Sequence, residues 1–326
     1  MLKYILLLST ILAFISCEPR ESNKSAKVEI YEADSAKIQA SMVKSYVEPL
    51  NPMMPYDLSK PSVTFELDKE LQEISGLSIA PNPNQLVAVN DEKGHLYFLN
   101  KMTGEIEKEV DFGKKGDYEG VETVGNEIFM VESDGTLQRI QRIGGEDEDT
   151  DKFENKLGKK YDVEGLTYDA AANELLVACK GKAGTGDQYD NMRAIYSFDL
   201  KTKGYSKRPA YLISRDEIED YFDTNLKEEG WSATMRALID PDAPLDAFGP
   251  SGIAIHPKTG NFFILSSVGK LVVVLNPNGK IEHVEGLDKK IHRQPEGICF
   301  DADGTLYISN EGKGKRAKIY KFKSKG

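Results

Sequence analysis

ISGLSIAPNPNQLVAVNDEKGHLYFLNKMTGEIEKEV, residues 74–110, reads as four short strands separated by turns. The runs GLSIA, QLVAVN, HLYFLN and EIEKEV are rich in Val, Ile, Leu, Phe and Tyr, and Pro, Asn, Asp and Gly fill the gaps between them. The same grammar returns in SGIAIHPKTGNFFILSSVGKLVVVLNPNGKIEHVE, residues 251–285. Each unit opens on a two-residue mark followed by an apolar residue. The marks are Ser75-Gly76, Glu119-Gly120, Glu164-Gly165, Ser251-Gly252 and Glu296-Gly297, at intervals of 44, 45, 87 and 45 residues. Four antiparallel strands in a near-constant period of this size describe one blade of a β-propeller, whose blades pack radially round a central channel. Asp134-Gly135, Asn278-Gly279 and Asp303-Gly304 supply the positive φ that tight hairpins need.

The fold class predicted is all-β, a five-bladed β-propeller with a helical insertion between blades three and four. A sixth blade hidden in the 87-residue interval is the alternative. Blade three already holds four strands in LTYD, ELLVAC, AIYSFDL and RPAYLI, and beyond Ser214 the period changes. Ile218, Tyr221, Phe222 and Leu226 fall at i, i+3, i+4 and i+8 with Ser214 as N-cap, and Met235, Leu238 and Ile239 continue a second short helix, so residues 214–248 read as the insertion. The last repeat ends on KIYKF, its third strand. Val63 to Leu67 is expected to supply the fourth, closing the ring and removing an open sheet edge.

The chain has 326 residues, 40% hydrophobic and 9% aromatic, enough for the core of one large domain. A net charge of -11 with interspersed signs argues against a nucleic-acid partner; the Lys-rich tail from Lys313 to Lys325 has too little arginine or aromatic content to change that. Lys3, an apolar run from Tyr4 to Ile15, then Ser16-Cys17 form a charged n-region, a short h-region and a small residue before a cut. The pattern resembles a bacterial lipobox, with an ordinary secretory signal as the bland alternative. The division expected is a signal peptide at 1–16, a lipidated Cys17 heading a flexible tether at 17–60, and the propeller at 61–326. That implies a membrane-anchored lipoprotein of the cell envelope, at the bacterial outer membrane, with a monomeric propeller. Cys179 and Cys299 lie in strands of different roles and are expected as buried free thiols. The four histidines occur at unrelated repeat positions; surface or turn sites are expected for them, and no catalytic triad or zinc set can be assembled.

The series EISGLSIAPNPNQLVAVNDEKGHLYFLN, DYEGVETVGNEIFMVESDGTL, YDVEGLTYDAAANELLVACKGKAG, FGPSGIAIHPKTGNFFILSS and QPEGICFDADGTLYISNEG resembles the SdiA-regulated family over residues 62–323. The resemblance implies a five-bladed propeller distantly related to NHL-repeat proteins, with a bound calcium ion and no established biochemical activity. Spacing gives that ion a physical motive. Starts of inner strands and ends of second strands open on one face, which gathers Glu73, Ser75, Glu119, Glu164, Ser251 and Glu296 with Asp91, Glu132, Lys180, Ser267, Asn310 and Glu311 at the channel mouth. Carboxylates ~5 Å apart at an effective dielectric of ~20 repel by about 3 kcal/mol per pair, so such a cluster must protonate, spread or bind a cation. An all-oxygen set without histidine or thiolate selects a hard ion, calcium above magnesium. Glu119, Glu164 and Glu296 are the expected metal ligands; Glu73, Asp91, Glu132, Lys180, Ser251, Asn310 and Glu311 are expected to line the mouth. The alternative is that the glutamates only bond backbone amides and hold blades in register.

Two functional classes follow. One is an envelope binding or scaffold module docking a small molecule, glycan or protein. The other is a metal-dependent hydrolase of a phosphoester, ester or lactone at the channel mouth. Asp147, Asp149 and Asp151 imitate the start of an EF-hand loop, but Lys152 and Gly158 stand where its glycine and bidentate glutamate belong, so a solvated acidic loop is expected. GKAGTG at 181–186 lacks a P-loop's spacing and ending, and reads as a flexible loop at the mouth.

Overall fold

The computed structural model describes residues 54–145, 148–153, 157–228 and 248–325. Five antiparallel sheets make five blades. The chain first lays down β1 (Val63–Glu66) and then blade one, β2 (Ile74–Ile79), β3 (Gln85–Asn90), β4 (His95–Asn100) and β5 (Ile106–Asp111). Blade two is β6 (Tyr118–Val124), β7 (Glu127–Glu132), β8 (Leu137–Gln141) and β9 (Asp149–Phe153). Blade three is β10 (Val163–Asp169), β11 (Glu174–Cys179) and β12 (Met192–Asp199), with its fourth position split between β13 (Gly204–Tyr205) and β14 (Tyr211–Ser214), both paired to β12.

Blade four is β15 (Gly249–Ile255), β16 (Phe262–Val268), β17 (Leu271–Leu275) and β18 (Ile281–Gly286). Blade five is β19 (Pro295–Phe300), β20 (Leu306–Asn310) and β21 (Lys318–Phe322), completed by β1, which pairs antiparallel with β21 from Val63↔Lys321 to Glu66↔Lys318. The expected ring closure is therefore present, and the five-blade reading holds over six.

Between blades three and four runs α1 (Arg215–Glu228). Ser214 caps it, its Oγ accepting the Glu217 amide at 3.4 Å. Ile218 is fully buried and Tyr221 packs beside it against the core between blades three and four. The short helix expected at Met235 to Ile239 lies outside the described residues.

The core consists of five apolar layers, one per pair of adjacent blades. In β3 the alternation works on two fronts: Leu86 and Ala88 join the layer toward blade five, Val87 and Val89 the layer toward blade two. A middle strand buried on both faces must be apolar throughout, which is why these segments read as continuous runs rather than alternating ones. Cys179 and Cys299 are buried free thiols, in a second strand and an inner strand respectively.

Two expectations need correction. Residues 54–58, read as part of the tether, are packed: Met54, Tyr56 and Leu58 enter the layer between blades four and five, and Tyr56 Oη donates to the Gly304 carbonyl at 2.6 Å. Three of the four histidines are buried rather than superficial. His256 bonds the Tyr56 hydroxyl at 3.0 Å and His292 donates to the Leu58 carbonyl at 2.9 Å, so both serve this same segment. Burial holds the His292 imidazole down at about 4, which keeps it a neutral donor. His283 meets Tyr221 of α1 and Glu285.

Glycine of each mark abuts the next blade. A methyl group on Gly76 would lie 2.7 Å from the Val121 amide nitrogen, one on Gly165 3.0 Å from the Ile253 amide nitrogen, and one on Gly252 2.2 Å from the Glu296 carbonyl oxygen. Gly252→Ala is accordingly expected to destabilise the chain by at least about 2 kcal/mol, because backbone rather than a side chain would have to move. Urea unfolding measures it, and a loss below about 0.5 kcal/mol would refute the close-approach account.

Candidate functional site

Every inner strand slips register at its mark. The shifts fall between Ile74 and Leu77, Tyr118 and Gly120, Val163 and Gly165, Pro250 and Gly252, and Pro295 and Ile298. A β-bulge takes one residue out of the ladder and re-aims its side chain. Here that residue is the one before glycine, and what it does depends on its length. Ser75 and Ser251 turn into the next blade, donating to the Tyr118 carbonyl at 2.6 Å and the Pro295 carbonyl at 2.8 Å. Ser251 is thereby occupied within the ring and offers the mouth little. The longer Glu119, Glu164 and Glu296 gather at the axis, where the five marks enclose a cavity of only about 10 Å³. The waist admits at most about one water, so the mouth is a cup rather than the entrance of a channel.

The cup is electrostatically loaded. Burial and then the charges of Glu164, Asp117 and Glu296 push the Glu119 carboxyl far above the usual range. Burial and Glu164 push Glu296 up to about 8, although Gln294 donates to its Oε1 at 2.7 Å. Glu164 is also raised by burial, but the Lys180 ammonium, 2.8 Å away, opposes the shift. Glu132 is engaged outside the axis by Gln138 at 2.8 Å and Lys152 at 3.0 Å.

Glu119, Glu164 and Glu296 thus share the axis, but the carboxylates that come closest are others. Among the described residues, Glu73, Asp91 and Glu311 each present a carboxylate oxygen within 4.8 Å of the other two. Backbone bonds at the seam of blades one and five hold them. The Asp91 amide donates to the Glu73 carbonyl at 3.2 Å, Glu311 to Gln294 at 2.9 Å, and Gly312 to Gln72 at 2.9 Å. Burial followed by Glu73 raises Asp91 to about 6 and Glu311 to about 7. Asp91 Oδ1 is buried and has no hydrogen-bond partner. All donors are hard oxygens, and the orphaned oxygen has no protein group to satisfy it, so the set suits a hard divalent cation.

Asn310 lies beside this cluster with both side-chain amide atoms buried and unpartnered. Its counterpart in blade one, Asn90, is fully used: its Nδ2 donates to the Glu70 carbonyl and its Oδ1 accepts from the Lys93 amide, both at 2.8 Å. Asn310 and Glu311 border a depression of about 120 Å³ whose other walls include Lys290, Arg293, Lys315 and Lys318. Sequence reasoning passed over this basic wall because its members sit on separate segments, and its signal was the Lys-rich tail set aside above. It also passed over Glu122, at the far end of the axis. Ser78 Oγ at 2.6 Å, the Thr123 amide at 2.7 Å and the Thr167 hydroxyl bond that carboxylate, which ties blades one, two and three together. The EF-hand-like run dissolves into β9: Asp149 pairs opposite Gln141 and Asp151 contacts Arg139. Asp147 lies outside the described residues.

The sequence model of the SdiA-regulated family matches residues 58–183 and 221–317. No curated protein matches the chain. Among solved structures, the glutaminyl cyclase of Myxococcus xanthus aligns with a TM-score of 0.51 at 10% identity, over 81% of this chain and 95% of that one. The PQQ-bound aldose sugar dehydrogenase of Streptomyces coelicolor gives 0.48 at 11%, over 81% and 97%. The virginiamycin B lyase of Staphylococcus aureus gives 0.42 at 15%, over 76% and 65%. At such identities the first likeness is one of fold alone, and the other two carry no argument.

The buried glutamates set a pH dependence. A carboxyl raised to about 8 in the folded chain holds a proton that the unfolded chain has already released, so the folded state binds more protons and stability falls as pH rises from about 5 to about 8. With chelator present, the melting temperature is expected to fall across that window, and Glu296→Gln is expected to flatten the slope. A melting temperature that rises from pH 5 to 8, or an unchanged slope in the variant, would count against an uncompensated carboxylate at the axis.

Proposed function

The chain belongs to the SdiA-regulated family, and from that premise we propose that it is a calcium-binding β-propeller, anchored to the membrane of the cell envelope through a lipidated Cys17, that works as a binding module. The observation that carries the metal is the Glu73, Asp91 and Glu311 cluster with its unpartnered Asp91 oxygen. These three would hold the ion. The ion's role is charge compensation at the seam where blade five meets blade one, the joint on which closure of the ring depends. The anchor rests on the sequence of residues 1–17, which lie outside the described residues; among the described residues no helix is long and apolar enough to cross a membrane.

A ligand would dock beside the carboxylate cluster, where Glu311 and the basic wall of Lys290, Arg293, Lys315 and Lys318 border one depression. That wall supports a second reading, metal-assisted hydrolysis of an anionic ester, in which the cations would hold the charged group beside the ion.

Calcium titration of the purified chain separates these readings. Calcium at a hundredfold its Kd is expected to raise the melting temperature by roughly 5–10 °C, magnesium by less, and Asp91→Asn or Glu311→Gln to abolish the shift. No shift in the parent chain, or an undiminished shift in both variants, would sink the metal site. A panel of phosphoesters, esters and lactones tests the hydrolase: calcium-dependent turnover lost in Glu164→Gln would displace the binding-module reading, and a calcium shift without turnover supports it.

A further inference from the structure

GKAGTG joins β11 to β12, at the end of blade three that carries the mouth, and it is built rather than loose. The Gly181 amide donates to the Tyr161 carbonyl and the Lys182 amide to the Lys160 carbonyl, both at 2.9 Å, and Tyr196 Oη donates to the Ala183 carbonyl at 3.0 Å. Gly184 is pressed on the Tyr189 ring, where an added methyl would lie 2.6 Å away. The fastened loop borders an open pocket of about 440 Å³, within the range that small-molecule sites occupy.

The cavity wall is cationic. Lys160, Lys182 and Arg193 line it, with Thr185 and Tyr189 as hydroxyl donors, Met192 as an apolar flank and Asp190 as its acidic member. Arg193 donates from Nη1 to the Met192 carbonyl at 3.0 Å, and its Nε is buried without a partner. Arg215, the first residue of α1, stands close by. Its Nη2 reaches the Asp190 carbonyl at 3.4 Å, and its Nε is likewise buried and unpartnered. Register explains the proximity, since Met192 pairs with Ser214 and Arg193 with Ile213. Burial and the Arg215 charge together pull the Arg193 guanidinium below its ordinary value.

Among the described residues, none of these four cations has a carboxylate within 4.0 Å. That is unexpected in a chain with 53 acidic residues against 42 basic ones, where counter-charges are plentiful. Half-buried guanidiniums that repel each other and leave donors unsatisfied are costly unless an acceptor from outside completes them. A guanidinium presents donors in a fork that fits the paired oxygens of a phosphate or carboxylate.

We infer that the loop of residues 181–193 forms a second ligand pocket, which takes the phosphate or carboxylate group of a small molecule on Arg193, Lys182 and Lys160 and seats the remainder against Tyr189 and Met192. It is separate from the calcium cluster at the seam of blades one and five, and it holds whether or not that cluster binds metal.

Calorimetric titration with sodium phosphate, and separately with sodium succinate, at constant ionic strength in chloride and with chelator present, tests the pocket, and variants of Arg193 and Lys182 separate it from the basic wall beside Glu311. Saturable binding of at least one of the two is expected, and whichever binds tighter identifies the oxyanion. Arg193→Gln is expected to weaken it at least tenfold and Lys182→Gln at least threefold, with the anion-free melting temperature of Arg193→Gln no lower than that of the parent chain because a like-charge contact is gone. Should Arg193→Gln fail to fold, the exposed Lys182→Gln still decides. Heats no different from those of added chloride, or binding undiminished in the variants that fold, would overturn the inference.

Discussion

Close approach of backbones at the axis is the constraint on which the rest of this propeller depends. Gly76 abuts Gly120 and Val121, Gly120 abuts Leu166, Gly165 abuts Ile253, Gly252 abuts Glu296, and Gly297 abuts Leu77, so the contact runs once round the ring and returns to its start. None of these five glycines is needed for a positive φ; each is needed because no Cβ fits. The approach draws the inner strands together until the waist is nearly solid. A bulge accompanies the close approach at each mark: the inner strand carries one residue more than its partner there, and the surplus residue is the one before glycine.

What stands at that surplus position divides the ring between cohesion and charge. Serine is short enough to turn sideways and bond the next blade's carbonyl, so Ser75 and Ser251 stitch blade one to two and blade four to five. Glutamate in blades two, three and five places a carboxyl in the cup, and among the described residues only Glu164 meets a cation there, Lys180. The alternative in which the glutamates merely keep register suits Glu122, whose donors come from three blades. It suits Glu119 poorly, because the groups around that carboxyl are other acids.

Much of this was legible in the sequence because it repeats or is local. The marks, the four-strand blades, the return of Val63 to KIYKF and the Ser214 cap are all patterns within about one period, or complements of a missing strand. The remainder was illegible for two physical reasons. Met54, Tyr56 and Leu58 enter the core as single alternating side chains in a Pro-rich segment, and the histidines that receive them lie about 200 residues further on, so no periodicity betrays either partner. The convergence of Glu73 and Asp91 with Glu311 belongs to the seam, where the first blade meets the last. Glu73 and Asp91 already meet within blade one, whereas Glu311 reaches them because the ring closes; the repeat positions gather all three at the mouth without saying which carboxylates come together.

Closure also explains how opposite charges share one face without cancelling. The marks of blades two, three and five place their glutamates near the axis, where the blades are closest; the loop after β11 carries Lys182 and leads into Arg193, while the segment before β19 carries Lys290 and Arg293 and the loop after β20 carries Lys315. Among the described residues Lys180 is the cation that reaches an axial carboxylate; burial works against its charge, but Glu164 together with Glu296 and Asp162 holds its proton more firmly than usual. The proposed cation site at Glu73, Asp91 and Glu311 and the proposed anion pocket at Lys160, Lys182 and Arg193 therefore share no residue, so that occupancy of one does not compete for the protein groups of the other.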